Sequence, residues 1–423
     1  MNIKAATNPI RFGGLLGNSI WMFSGQVVSA LFQAVYFILL GRLLGSTEYG
    51  IFMGATALAS ILSQYSTLGS NWVFIRYVSH DPENFSRYWG NILIATLSLG
   101  AIFTAVLATG GPYFAHSYSR LLLVCIGLGD CLFMQLAVAT GFVFQAFEKM
   151  RLTAVVNVIT NMMRAAATAI LALHFHRVNA REWSVVACLV SMAAAIVAVG
   201  MVSRNYGRPK FSLSLLKARS GEGMTFAFSN SAGNVYNDFD KVLMGHYGMN
   251  AANGTYSMAY KVINLCSMPI SAIYGAAIPR IFRKGKEGVL GTGPFVFRLL
   301  KRTALLSLGM AGVMWLLAPV LPRLLGPSFA DSTTQLRWLC LLPFFRSFQW
   351  GANSALAGAG YQKLCLRAQI VTAVFNLGTN LYMIPKYGWF GAVLTSVASD
   401  ALVGVLISIT FLYVRSTEQY AAS

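Results

Sequence analysis

Apolar residues run along this chain in long unbroken stretches, not in the alternating or half-and-half patterns of elements with one wet face. Charge-free runs occupy 12–41, 49–75, 88–119, 183–203, 303–322 and 368–385, each near or above the roughly 20 residues a helix needs to cross a bilayer. Because the runs are continuous and do not alternate in segments of about 10 residues, they predict helices and not a membrane barrel. Candidate spans fall at 15–40, 50–71, 89–110, 120–145, 152–174, 183–203, 223–244, 254–279, 303–322, 336–358, 366–385 and 389–413. The first is too long for a signal-peptide core and lacks a small-residue cleavage site, so it reads as a retained span. The expected fold class is an all-α polytopic membrane protein of about twelve transmembrane helices.

A repeat organises these spans. An offset of 204 carries Gly41 onto Gly245, Gly50 onto Gly254 and Arg76 onto Arg280, and it carries Gln26 and Gln33 onto Asn230 and Asn237. The shared pattern is a span with amides, a turn with glycines, and a second span ending on a cation. Around FEKMRL and YQKLCL the offset becomes 214, so the connection at 280–302, with its flexible GKEGVLGTGP, is longer than its counterpart at 76–87. The expected division is an N-terminal lobe at 1–203, a basic linker at 204–222 and a C-terminal lobe at 223–423. A short surface helix at 212–219 would fit within the linker.

Polar positions inside the spans show which faces look inward, since a central Arg, Lys or Asp costs roughly 2.5–3.5 kcal/mol against lipid. Asn157, Asn161, Arg164 and Thr168 step by four, three and four on the fifth span. Asn230, Asn234, Asn237 and Lys241 do the same on the seventh. Both series mark one helix face. Lys261, Asn264 and Ser271 lie on the eighth span, Arg346, Trp350 and Asn353 on the tenth, and Ser19, Gln26 and Gln33 on the first. Arg164 sits about 12 residues, or roughly 18 Å, into its span. Mid-membrane cations on inward stripes fit a water-filled cavity that receives an anion, with internal ion pairing as the other reading. Asp130 and Asp400 are also mid-span, as candidates for ion coupling or for structural pairing. Asp238 and Lys241, three apart, are placed to pair.

Composition agrees with this picture: 56% hydrophobic, 11% charged, mean hydropathy +0.60. The net charge of +19 would suggest nucleic acid in a soluble protein; here its distribution expresses topology and no nucleic-acid partner is expected. Of the 32 lysines and arginines, 21 fall on the side of the N-terminus, seven on the other side and four inside spans. That bias places both termini in the cytoplasm. The six cysteines show neither paired nor metal-ligand spacing, and no HExxH, P-loop or nucleophile elbow is present. Neither a cofactor nor a metal is expected, and a transporter fits better than an enzyme.

GRLLGSTEYGIF after the first span, GSNWVFIRYV ending the second, NDFDKVLMGHY leading to YSMAYK, and NLYMIPKYGWFGAVLTSVAS near the end carry a resemblance. Together, and in this order, they resemble the O-antigen and polysaccharide flippase family of the multidrug/oligosaccharidyl-lipid/polysaccharide exporter superfamily. The resemblance implies a MATE-like fold, with two parallel-repeat six-helix lobes around a central cavity that opens to either side in turn. It implies a glycan on undecaprenyl pyrophosphate as substrate, flipped across the bacterial inner membrane, with other polysaccharide-assembly proteins as partners. Arg164, Lys261 and Arg346 are the positions that match its cavity cations, with Lys241 a weaker match. Asp240 and Lys241 match its Asp-basic pair, expected to hold the turn into the eighth span. The rivals are a drug–cation antiporter of the same fold and a membrane glycan polymerase or ligase. The first would place an acid in the opening span, and the second a sizeable external loop; neither is present.

Overall fold

The computed structural model describes residues 12–285 and 287–422, apart from the side chains of 12–20, 229–236, 279, 421 and 422. The described residues form a chain of helices. These are α1 (Phe12–Ser63), α2 (Ser70–Val78), α3 (Phe85–Phe114), α4 (Arg120–Ala146), α5 (Met150–His174), α6 (Ala180–Tyr206) and α7 (Leu213–His246). They continue as α8 (Asn250–Gly285), α9 (Gly288–Leu317), α10 (Ser332–Leu339), α11 (Leu342–Gly358), α12 (Gln362–Tyr387) and α13 (Trp389–Ala422). Setting aside the short helix Val320–Leu325 and the single turns Pro82–Asn84 and Pro327–Phe329, counting α1 as two limbs, and joining α2 to its second limb and α10 to α11, the described helices correspond one for one to the twelve expected spans. Helices satisfy their own backbone hydrogen bonds, which is what a chain this apolar needs in lipid.

The repeat is visible, but its turn is made by different glycines from those expected. Gly45, at φ 70° and ψ 172°, breaks α1 into limbs 12–44 and 46–63. Gly248, also at φ 70°, separates α7 from α8. Only glycine holds that conformation without Cβ strain. Gly41, Gly50, Gly245 and Gly254 lie inside helices and are buried. The shared offset there marks buried helical positions and not the turn itself.

The second limb ends sooner than expected. Residues 64–69 turn, with Leu68 at φ 51° and Gly69 at φ 66°, before α2 resumes. A Cβ on Gly69 would fall 1.8 Å from the Gly223 carbonyl oxygen, so α7 crosses this turn backbone against backbone. Its counterpart α8 runs through the equivalent positions unbroken.

Three further expectations change. The surface helix at 212–219 is the first part of α7, continuous with the seventh span. The flexible GKEGVLGTGP is helical from Gly288 onward, because Glu418 on α13 accepts the Leu290 amide at 3.0 Å and caps α9. The tenth span bends at 340–341, where Pro343 has no amide to continue a helix.

The chain forms two compact units, Met1–Asn234 and Val235–Ser423. In the first, α5 lies along α1 so closely that a Cβ on Gly25 would meet Ala154 Cβ at 2.6 Å. Trp89, Phe74, Phe85, Ile92 and Phe144 fill its core. In the second, Met244, Tyr256, Ile263, Leu339, Leu342 and Val393 do so.

One irregularity gave no signal in the hydropathy pattern. Gly127–Phe133 in α4 is a π-helical turn between two α-helical limbs, and Asp130 stands within it. Such turns carry one extra residue and re-aim the side chains beyond it.

Candidate substrate and coupling site

The densest buried polar cluster among the described residues belongs to the second unit, where α7, α8, α11 and α13 meet. α7 supplies an acid–base run. Lys241 is 7% exposed, and its Nζ donates to Asn237 O at 2.6 Å and to Asp238 Oδ1 at 2.7 Å. The i,i+3 pairing expected between Asp238 and Lys241 therefore forms. The amine also lies 5.0 Å from the Tyr260 ring centroid. The Lys241 amine is thus held by acceptors on α7 itself.

Asp240, whose Oδ1 also lies 3.9 Å from Lys241 Nζ, ties three helices together. Its Oδ1 accepts from the Lys241 amide at 2.7 Å. Its Oδ2 accepts the Tyr256 hydroxyl from α8 and the Ser396 hydroxyl from α13, the latter at 3.3 Å. Asn253 Nδ2, at the start of α8, donates to Lys241 O at 2.9 Å. The Asp240–Lys241 pair thus fastens the turn into α8 through its backbone as much as through its charges.

Deeper in the unit, Arg346 on α11 donates through Nε to Asp400 Oδ2 on α13 at 2.9 Å and through Nη1 to Asn264 Oδ1 on α8 at 2.9 Å. The two charged side chains are 12% and 4% exposed. Tyr260 lies between the two cations, with the Arg346 guanidinium 5.9 Å from its ring centroid. Arg346 is therefore an ion-paired cation, and the pairing alternative describes it. Asn376 Nδ2 donates to Ser399 Oγ at 2.9 Å and Asn380 Nδ2 to Asn376 Oδ1 at 2.9 Å, extending the polar strip onto α12.

The face of α8 that builds this cluster runs Asn253–Tyr256–Tyr260–Asn264, in steps of three, four and four. That spacing was readable in the sequence. The stripe expected there followed Lys261, which stands about 100° around the helix from Tyr260. Lys261 is partly buried. Asn230 and Asn234 lie where side chains are not described.

The first unit has its own, sparser arrangement. Asn161 Nδ2 donates to Ser29 Oγ on α1 at 2.7 Å and to Asn157 O at 3.0 Å, while the Asn157 side chain is exposed. Arg164 reaches across to α4, its Nη2 3.7 Å from Met134 Sδ, and its carbonyl accepts the Thr168 hydroxyl at 2.8 Å. Buried Tyr36 on α1 feels the charges of both Arg164 and Asp130. A π turn, an acid, an arginine and a tyrosine thus gather around one part of α1, α4 and α5. Tyr36 was missed because a tyrosine in an apolar run carries no periodic mark.

Among the described residues, long apolar helices built as a repeat, with charged side chains paired in the interior of the second unit, form the fold of a multi-pass membrane protein. Solved structures agree. An inward-facing multidrug resistance MATE family transporter of the MOP superfamily matches with a TM-score of 0.69 at 16% identity, over 95% of this chain and 98% of its own. A MATE multidrug transporter, DinF-BH, solved in complex with a ligand, matches with a TM-score of 0.68 at 15% identity, over 98% and 97%. Two uncharacterized membrane proteins of Methanocaldococcus jannaschii are each 21% identical, over 92% and 89% of this chain and 97% and 80% of theirs. Residues 15–284 match the family model described as polysaccharide biosynthesis protein, and the chain belongs to that family.

Proposed function

We propose that this chain flips an undecaprenyl-pyrophosphate-linked oligosaccharide, the repeat unit of an O-antigen, capsule or exopolysaccharide, across the bacterial inner membrane. The two lobes would expose the site to either side in turn, with both termini in the cytoplasm. The family supports a glycan-pathway substrate. The observation that carries the reading is Arg346, a buried guanidinium within the tenth span that is ion-paired with the Asp400 carboxylate. A buried arginine fork suits a phosphate, which it binds bidentately.

The pairing suggests how binding and release are coupled. With Asp400 ionised, Arg346 is held on α13 and on Asn264. Protonation of Asp400 removes the competing anion, and the guanidinium then turns to a pyrophosphate. Loss of the proton draws it back and releases the substrate. Arg164 and Lys261 serve as further phosphate contacts, and Asp130 within its π turn is a second acid for proton coupling, at a different repeat position from Asp400. A drug–cation antiporter fits less well, because the first span carries amides and hydroxyls, among them Ser19, Gln26, Ser29 and Gln33, and no acid.

A strain lacking the protein should accumulate lipid-linked glycan on the cytoplasmic leaflet, and the wild-type gene should clear it. Complementation by an Arg164→Gln, Lys261→Gln, Arg346→Gln triple variant at full export would overturn the assignment of these cations. Proton coupling fails if export by an Asp130→Asn, Asp400→Asn variant keeps the pH profile of the wild type.

A further inference from the structure

The hairpin made by the end of α8 and the start of α9 carries cations that the site above does not use. Arg280 and Lys284 stand four apart on α8, and Arg298 and Arg302 four apart on α9. That spacing puts each pair on one helix face. All four line a single pocket of about 200 Å³, together with Phe295 and Leu299. The Arg280 guanidinium lies 4.8 Å from the Phe295 ring centroid. The ion pairs of the described residues include none of these four cations.

The repeat supplies a control. Arg76, the counterpart of Arg280, donates to Glu222 Oε1 at 2.7 Å, and the same carboxylate faces Arg219 at 3.7 Å. The first unit thus provides its own counter-ion at this position, while the second gathers four cations around a cavity. Like charges held this close raise the energy of the folded unit unless an anion joins them.

The pocket also has an apolar continuation. Arg302 lines a second cavity of about 740 Å³, whose other walls include Cys266 on α8 and Leu305, Leu306, Gly309 and Val313 on α9. A free anion would use only the first chamber. A hydrocarbon chain attached to the anion would use both, and α9 has by then entered the apolar layer. We propose that this is a binding site for an anionic phospholipid. Its phosphate sits among Arg280, Lys284 and Arg298, Arg302 marks the junction, and an acyl chain lies along α9. Basic pockets between helices at the positive side of a membrane are suited to such headgroups. Four cations favour a lipid with two phosphates, of the cardiolipin type, over phosphatidylglycerol, and either over zwitterionic phosphatidylethanolamine. The inference does not depend on what the protein transports.

Native mass spectrometry of the full-length protein, delipidated and then offered these three lipids, tests it. The wild type should retain cardiolipin, then phosphatidylglycerol, with little phosphatidylethanolamine. Arg280→Gln with Arg298→Gln should weaken cardiolipin retention about thirtyfold, each interfacial cation contributing roughly fivefold. Gly309→Trp keeps all four cations and, with nothing within 4 Å of a Cβ at this groove-lining position, places an indole in the groove. It should lower phospholipid retention while the protein melts as the wild type does. Equal retention by wild type and both variants would overturn the site. So would full displacement of lipid by inorganic phosphate, or preferential retention of undecaprenyl pyrophosphate, which would give the pocket to a free anion or to the substrate.

Discussion

Arg346 Nε and Asp400 Oδ2 are 2.9 Å apart, joining α11 to α13 where both side chains are almost wholly withdrawn from solvent. Buried pairs gain little over an apolar substitute, but breaking one leaves an uncompensated charge at a cost of about 3–5 kcal/mol. Arg346→Ala should therefore lower the melting temperature of the purified protein more than Asp400→Asn does. In the latter, the amide oxygen can still accept from Nε and Asn264 still holds Nη1. Removing both partners, Arg346→Met with Asp400→Leu, should recover most of the loss. Melting curves in one detergent decide it, and a double variant no more stable than Arg346→Ala would contradict the pairing argument.

Asp240 is the knot between α7, α8 and α13. Tyr256→Phe deletes one donor to a buried carboxylate and should cost about 1.5–3 kcal/mol, the range for hydrogen bonds to charged groups. Ser396→Ala, whose contact is longer at 3.3 Å, should cost less. Glu222→Gln offers a contrast. Its partner Arg76 is 60% exposed, and such surface pairs contribute at most about 1 kcal/mol. Comparable losses at all three positions would show that burial does not set the scale here.

The crossing of Gly69 and Gly223 predicts a sharper defect. Gly69 has φ 66°, and a Cβ there would stand 1.8 Å from Gly223 O. Gly69→Val combines left-handed strain of about 1–3 kcal/mol with a backbone clash that only movement of α7 can relieve. Folded yield from membranes should fall severalfold. Gly312→Ala, where nothing lies within 4 Å of the new methyl, should be neutral or gain up to about 1 kcal/mol of helix propensity. Similar yields for the two would mean that α7 does not press on this turn.

These sites show what the sequence could and could not reveal. Span number and the twofold repeat follow from runs of apolar residues and from an offset, both properties of one-dimensional order. Lys241 with Asp238 was legible too, because three residues on a helix fix a distance. Arg346 with Asp400 was not, since 54 residues and two turns separate them and only packing brings the helices into register. The turn at Gly45 was displaced by four residues from Gly41 because a glycine's spacing does not distinguish close packing from positive φ. The break at Leu68–Gly69 left no hydropathy signal at all; Gly223, which packs against it, comes 154 residues later in the chain (223 − 69).

The π turn at Gly127–Phe133 gives the last prediction. A π turn holds one residue more than an α-helix of the same length, so the limb after it is rotated by about 100° relative to an uninterrupted helix. Deleting Leu128 should let the segment relax to an α-helix, turning Asp130 away from Tyr36 while Met134 and its contact with Arg164 keep their place. If Asp130 acts in transport, the deletion should behave as Asp130→Asn does, with a normal yield, a melting temperature near that of the wild type and a matching loss of pH dependence in glycan export. Tyr36→Phe, which keeps the ring and removes only the hydroxyl, should shift the same pH profile without abolishing export. A deletion variant that folds and exports with the wild-type profile would mean that the extra residue serves packing against α6 and α1 and has no part in coupling.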